Sequence, residues 1–249
     1  MSESSFSSRP LWYALALWLV LSLFSLAEAA EVQVPDSLAP VGSPVMLEAH
    51  TKGMFFARGG EEVTFYVDGK RLGETLSGAD GIAYMEFVPR RAGLHTVKTA
   101  SGEAEGAGLL LVLERGARIV LVHVEGALFK GPLTKEPRRG SVEAVKKISE
   151  AFPVLYVTAL PLGRGALREW LRENGFPEAP LLDWNAGGLP GWIKKKGFAV
   201  RAVIGDPEVA AGAAEQGLHA FSFEQAEGAR KVRSWKEVAE DPAFRPKKQ

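Results

Sequence analysis

Arg118-Ile119-Val120-Leu121-Val122-His123-Val124 is the stretch that decides the fold. Apolar residues follow one another from Ile119 to Val122 with no polar alternation, as in a strand covered on both faces at the centre of a parallel sheet. Downstream, Ser141 opens a helix with Val142, Val145 and Ile148 on one face, and Val154-Leu155-Tyr156-Val157 is a second buried strand. A helix over 165–174 follows, with Ala166, Leu167, Trp170 and Leu171 on one stripe and Gly175 as its stop. The alternation continues through a short strand at 179–182, a helix at 189–196, a strand at 199–204 ending in Gly205-Asp206, a helix at 209–216, a strand at 218–223 and a closing helix capped by Ser234. It predicts an α/β domain over 117–241, a doubly wound parallel sheet. Sites in such sheets lie beyond the carboxyl ends of the strands. Those ends carry His123 and Glu125, then Thr158, then Asp206.

Upstream of Arg115-Gly116 the texture changes to short alternating strands. Glu62 to Val67 runs into Asp68-Gly69, a type I′ hairpin signal, and Asp80-Gly81 reads as a second such turn before Ile82 to Phe87. In that last strand Ala83, Met85 and Phe87 share one face, and Pro89 ends it. Strands are also predicted at 45–50, 94–98 and 107–113. Strands at this spacing without a helical period predict a β-sandwich over 31–114. Val63 to Gly69, Asp80-Gly81-Ile82-Ala83 and Pro89 to Val97 resemble the bacterial immunoglobulin-like domains of surface and envelope proteins. No catalytic constellation stands out here: His50 and His95 sit in different strands. Met54-Phe55-Phe56 reads either as a core plug or as a contact patch.

Residues 1–29 carry Arg9 and an apolar run from Leu11 to Leu26, then Ala27-Glu28-Ala29, a small-x-small site. The expectation is a signal peptide cleaved before Ala30, or an uncleaved anchor, with the remainder outside the cytoplasm in either case. Thirty Lys and Arg balance thirty Asp and Glu, so no global field draws the chain to nucleic acid. The absence of cysteine excludes a disulfide framework, a thiolate metal site and a cysteine nucleophile. Residues 242–249, with Arg245, Lys247 and Lys248, read as a basic solvated tail.

The strand-end residues, together with Leu155 to Gly163, Leu167 to Pro177 and Ala179 to Leu182, resemble the haloacid dehalogenase superfamily, in particular its lipin-like phosphatidate phosphatase branch. The resemblance implies a phosphatase fold with Asp-x-Asp after the first strand, Thr or Ser after the second, a lysine before the fourth and Gly-Asp-x-x-x-Asp after it. This chain departs from that plan. His123 stands at the nucleophile position, Glu125 at the general acid, and Ala210 at the last carboxylate. Glu125 retains a group able to carry a proton. Lys194, Lys195 and Lys196 are the candidates for the lysine, with a solvated face as the alternative.

Magnesium prefers oxygen ligands in an octahedral array, and histidine at 123 removes one anionic oxygen together with the acyl-phosphate route. The expectation is therefore no cofactor, with Asp206 the one plausible metal ligand, and magnesium only if an altered phosphohydrolase survives. An imidazole nucleophile with Glu125 as proton shuttle is the enzymatic alternative. Thr158 reads as a strand-end hydroxyl or a phosphate ligand, and Asp206-Pro207 as a helix start or a metal site. Arg164 and Arg168 face solvent, or one meets an anion at the pocket rim. The favoured expectation is a non-catalytic exported protein that binds an envelope protein or a small anionic ligand, with membrane association through its N-terminus as an option.

Overall fold

The computed structural model describes residues 31–52, 57–131, 134–159, 163–185 and 188–245. The expected leader over 1–29, Met54-Phe55-Phe56, Leu160 to Leu162 and the tail residues 246–249 lie outside them.

The first half is a β-sandwich. Its three-stranded sheet runs in the order β1 (Glu31–Gln33), β3 (Val45–Lys52), β6 (Ile82–Phe87). Its five-stranded sheet runs β2 (Ser37–Pro40), β8 (Ala104–Leu113), β7 (Gly93–Ser101), β4 (Glu62–Val67), β5 (Lys70–Leu76). Alternate residues of β3 (Val45, Leu47, Ala49) and β4 (Val63, Phe65, Val67) enter one core, as the two-residue period of a strand requires. Asp68 and Gly69 have φ of 50° and 76°, so both centres of the β4–β5 turn are left-handed, as type I′ demands.

Asp80-Gly81 is not a second such turn. Only Gly81 has positive φ there (74°), its N–H bonds to Gly78 O at 2.8 Å, and β6 crosses to the opposite sheet instead of pairing with β5. The reason is a close approach to β3. A Cβ on Gly81 would stand 2.7 Å from Thr51 O, and Thr51 N–H donates to Gly81 O at 2.8 Å.

The second half is a six-stranded parallel sheet in the order β13 (Leu181–Asp183), β12 (Val154–Thr158), β9 (Arg118–His123), β14 (Ala199–Gly205), β15 (Ala220–Ser222), β16 (Arg230–Lys231). Along β9 the faces alternate. Val120 and Val122 join the core under α1 (Ser141–Ser149), α2 (Arg164–Glu173) and α5 (Trp235–Glu240). Ile119 and Leu121 join the core under α3 (Gly188–Lys195) and α4 (Pro207–Glu215). The sheet is thus doubly wound, with β9 at its centre.

Two elements of this half leave no periodic trace in the sequence. One is a π-helical turn, Val124–Leu128, in which Phe129 N–H reaches Val124 O. The other is the hairpin β10 (Phe129–Gly131) with β11 (Thr134–Pro137). The domain also runs past residue 241. Asp241 accepts from Ala243 N–H at 2.7 Å and caps a 3-10 turn, Pro242–Phe244, whose Ala243 and Phe244 are buried. The Phe244 ring lies 5.6 Å from that of Phe221, so the start of the expected tail belongs to the core. Among the described residues no helix is long and apolar enough to cross a membrane.

The halves share a seam. Asp36, on the loop between β1 and β2, has a side chain with no exposed surface. Its Oδ1 accepts from Leu109 N–H of the sandwich at 2.6 Å and from Arg168 Nη2 of α2 at 2.9 Å. Its Oδ2 accepts from Leu181 N–H of β13 at 2.7 Å, satisfying an amide on the outer edge of the parallel sheet. Two residues on, Leu38 in β2 is wholly buried in the core beneath β9 and α4.

Candidate functional site

Four strand-end residues singled out in the sequence meet at one point. β9 and β12 lie side by side with Val157 opposite His123, which sets Thr158 beside the start of the π turn. That turn swings Glu125 back over the strand tip: Glu125 Oε1 accepts a short hydrogen bond from the Thr158 hydroxyl, and Oε2 lies 3.2 Å from His123 Nε2. On the other side, Asp206 Oδ2 lies 3.3 Å from His123 Nδ1. Neither contact to the ring has hydrogen-bond alignment, so the imidazole is held between two carboxylates by close contact and packing. Its side chain is 2% exposed, against 17% for Glu125 and 36% for Asp206.

The backbone builds this cluster as much as the side chains do. Asp206 Oδ1 accepts from Val209 N–H at 2.9 Å and caps α4, with Pro207 in the first turn. The helix therefore fixes one oxygen and leaves the other to face the imidazole. Gly126 sits where no side chain fits, since its Cβ would stand 2.5 Å from Asp206 N and 2.6 Å from His123 Nδ1. The π turn is anchored from behind by Trp235, fully buried, whose indole N–H donates to Ala127 O at 3.1 Å. Gly126 and Trp235 escaped the sequence reading. The one signal for Gly126 was a glycine directly after a strand-tip carboxylate, and Trp235 lies 108 residues from its partner.

Other expected positions fall elsewhere. Ala210 is one turn into α4 and wholly buried in the apolar core, and Glu208 is exposed. Lys194, Lys195 and Lys196 precede β14 at its amino end, beside Gly197, whose carbonyl accepts from Gly116 N–H. A seven-residue strand of roughly 3.3 Å per residue, about 20 Å in all, separates them from the His123 cluster, so none fills a lysine role there. Arg164 does stand near the strand tips, paired with Asp183, the residue opposite Thr158. Arg168 points into the seam, toward Asp36.

The electrostatics limit what this arrangement can do. Burial raises the Glu125 carboxyl pKa. Contact with His123, the Thr158 hydroxyl, its own backbone N–H and the charge of His123 outweigh burial and hold it below its ordinary value. At neutral pH Glu125 is a carboxylate with no proton to donate. The residues do not fit a magnesium ion: the imidazole occupies the space between the two carboxylates and presents nitrogen to a cation that favours oxygen. Among the described residues no group of three or more His, Cys, Asp or Glu side chains is placed to hold a metal.

No protein-family model and no curated protein matches the chain. Solved structures similar to part of it include the CARDB domain of the PF1109 protein from Pyrococcus furiosus in complex with di-metal ions. That match has 14% identity over 34% of this chain and 89% of that one, at a TM-score of 0.29. The D0-D1 domain of Intimin is similar at 14% identity over 34% of this chain and 49% of that one, TM-score 0.29. Tandem Ig repeats of Dlar are similar at 17% identity over 39% and 59%, TM-score 0.29. Likeness of that degree carries no weight for function, and the sandwich is established by its own strand pairing.

Proposed function

We propose that this chain is an exported, non-catalytic binding protein. In this reading an immunoglobulin-like module is joined to a pseudo-phosphatase, an α/β domain with the strand-tip plan of the haloacid dehalogenase superfamily but not its reacting groups. The observation that carries the proposal is the confinement of His123. Its ring is buried, and each nitrogen faces a carboxylate. An attacking nitrogen needs an open line to phosphorus, and two carboxylates at the entrance repel a phosphate monoester. The apolar run before Ala27-Glu28-Ala29 supports export to the envelope, with cleavage or anchoring as its two outcomes.

The rival reading, a phosphohydrolase of altered mechanism, draws on the convergence of His123, Glu125, Thr158 and Asp206. It needs a proton on Glu125 and an accessible imidazole nitrogen; the lowered pKa of Glu125 and the burial of the ring count against both. Assay of p-nitrophenyl phosphate hydrolysis with and without magnesium separates the two. The unmodified protein is expected to match the buffer blank. Magnesium-dependent turnover that disappears in His123→Ala or Asp206→Asn would replace the binding reading with the enzymatic one. Mass spectrometry of the mature N-terminus tests export: loss of residues 1–29 is expected for cleavage, and an intact Met1 in a membrane fraction for anchoring.

A further inference from the structure

A cavity of about 560 Å³ opens between the sandwich strands β1 and β3 and the start of α2. That is within the range of roughly 300–1,000 Å³ common for small-molecule sites, which favour domain interfaces. His50 and Lys52 line it from the sandwich, and Arg164 and Arg168 from the α/β half.

Of the acidic groups on its wall, Asp36 has both oxygens taken by Leu109, Leu181 and Arg168, and Glu31, at the rim, accepts from the Gln33 amide at 2.7 Å and keeps its charge. The basic groups are not fully used. Lys52 Nζ bonds to the Gln33 amide oxygen at 2.9 Å, a neutral acceptor. Arg164 and Arg168 each meet one carboxylate through a terminal nitrogen, and Arg168 also reaches Ala107 O at 3.4 Å, yet their side chains remain 37% and 38% exposed. Lys52 and the two arginines thus bring cationic groups from both halves to one cavity. The fork of an arginine matches the planar oxygens of carboxylate and phosphate.

We propose that this cavity between the domains binds a small molecule carrying phosphate or carboxylate groups, held by Lys52 of the sandwich and by Arg164 and Arg168 of α2. The inference rests on the reading of the chain as a binding protein, and it moves the ligand away from the carboxylate-flanked His123. It also gives the joining of the two domains a purpose, since neither alone supplies the full set of cations.

The test is thermal shift and titration calorimetry on the purified full chain with pyrophosphate and with citrate at constant ionic strength, glucose serving as the neutral control. Saturable one-site binding of at least one anion is expected, with Tm raised by about 3 °C at ten times Kd. Lys52→Glu is expected to weaken binding at least tenfold, with the ligand-free Tm lowered by the like charge it sets opposite Glu31; Lys52→Arg should retain binding. Arg164→Gln should weaken it too, whereas His123→Ala should not. No saturable binding by the unmodified protein, or equal binding by Lys52→Glu, overturns the inference and leaves the binding-protein reading in place. Hydrolysis of p-nitrophenyl phosphate by the unmodified protein overturns that reading instead, whatever the affinity.

Discussion

The sandwich and the parallel sheet bury polar groups in different ways. In the sandwich, the Thr51 hydroxyl donates toward Gly81 O, at 3.0 Å, and Arg58 O, and the Ser77 hydroxyl donates to Arg58 O at 2.9 Å while accepting from Glu61 N–H. These hydroxyls are fasteners, each tying a neighbouring loop to the sheet through the backbone. At the tips of the parallel sheet, His123, Glu125, Thr158 and Asp206 face one another, and the imidazole finds no aligned partner among the described residues. A fold gains little from opposing side chains that leave buried atoms unpaired. The contrast is between single hydroxyls that fasten loops and a cluster of facing titratable groups; the sandwich too buries one hydroxyl, that of Thr99 in β7, with no partner among the described residues.

The seam offers the severest way to break this contrast, because there one carboxylate serves both halves. Asp36→Ala strands two backbone amides and the Arg168 guanidinium, and is expected to cost about 3–5 kcal/mol. Urea unfolding followed separately by tryptophan fluorescence, with Trp170, Trp184, Trp192 and Trp235 as reporters in the α/β half, and by far-ultraviolet circular dichroism should show one transition in the parent and two in the variant. Coincident transitions at an unchanged midpoint would mean that the domains are coupled by other contacts.

A smaller effect is expected in the sandwich. Thr51→Val removes the hydroxyl from Arg58 O and Gly81 O at nearly constant volume and should cost about 1–2 kcal/mol. Its urea midpoint should move without any change in phosphate-ester or anion chemistry. The smallest effect belongs to Glu125. Its pKa in the folded protein lies below the ordinary value near 4.5, so its contribution to stability is present above that pH and fades as pH falls through the lower folded value. Glu125→Gln should flatten the acid side of the midpoint-against-pH curve and leave its shape above pH 6 alone. An unchanged acid limb would show that the carboxylate makes no net favourable contact.

How much of this was legible follows from the range of the forces involved. Asp68-Gly69 declared its turn because few residue pairs accept two left-handed conformations in succession. β9 declared itself because four consecutive apolar side chains need cover on both faces. The positions of His123, Thr158 and Asp206 followed from strand ends alone. The π turn was unreadable, since Val124-Glu125-Gly126-Ala127-Leu128 has no periodicity and its shape comes from Asp206 and Trp235 far along the chain. Asp80-Gly81 misled because a close contact with Thr51, not the local pair, sets that turn. Ser37 to Pro40 drew no prediction, yet pairs in parallel with β8 across 73 residues. Asp36 has partners 73, 132 and 145 residues away, and no local pattern could have revealed it.

Leu38 carries a consequence for how the chain assembles. It is synthesised early, but its resting place is made by Ile119, Leu121, Leu155 and Val209, which are synthesised much later. Until those arrive, Leu38 remains exposed on the nascent sandwich. Closure of the first half therefore waits for the second. A gene cut at Arg115-Gly116 would yield an N-terminal fragment with an oily notch and a tendency to self-associate.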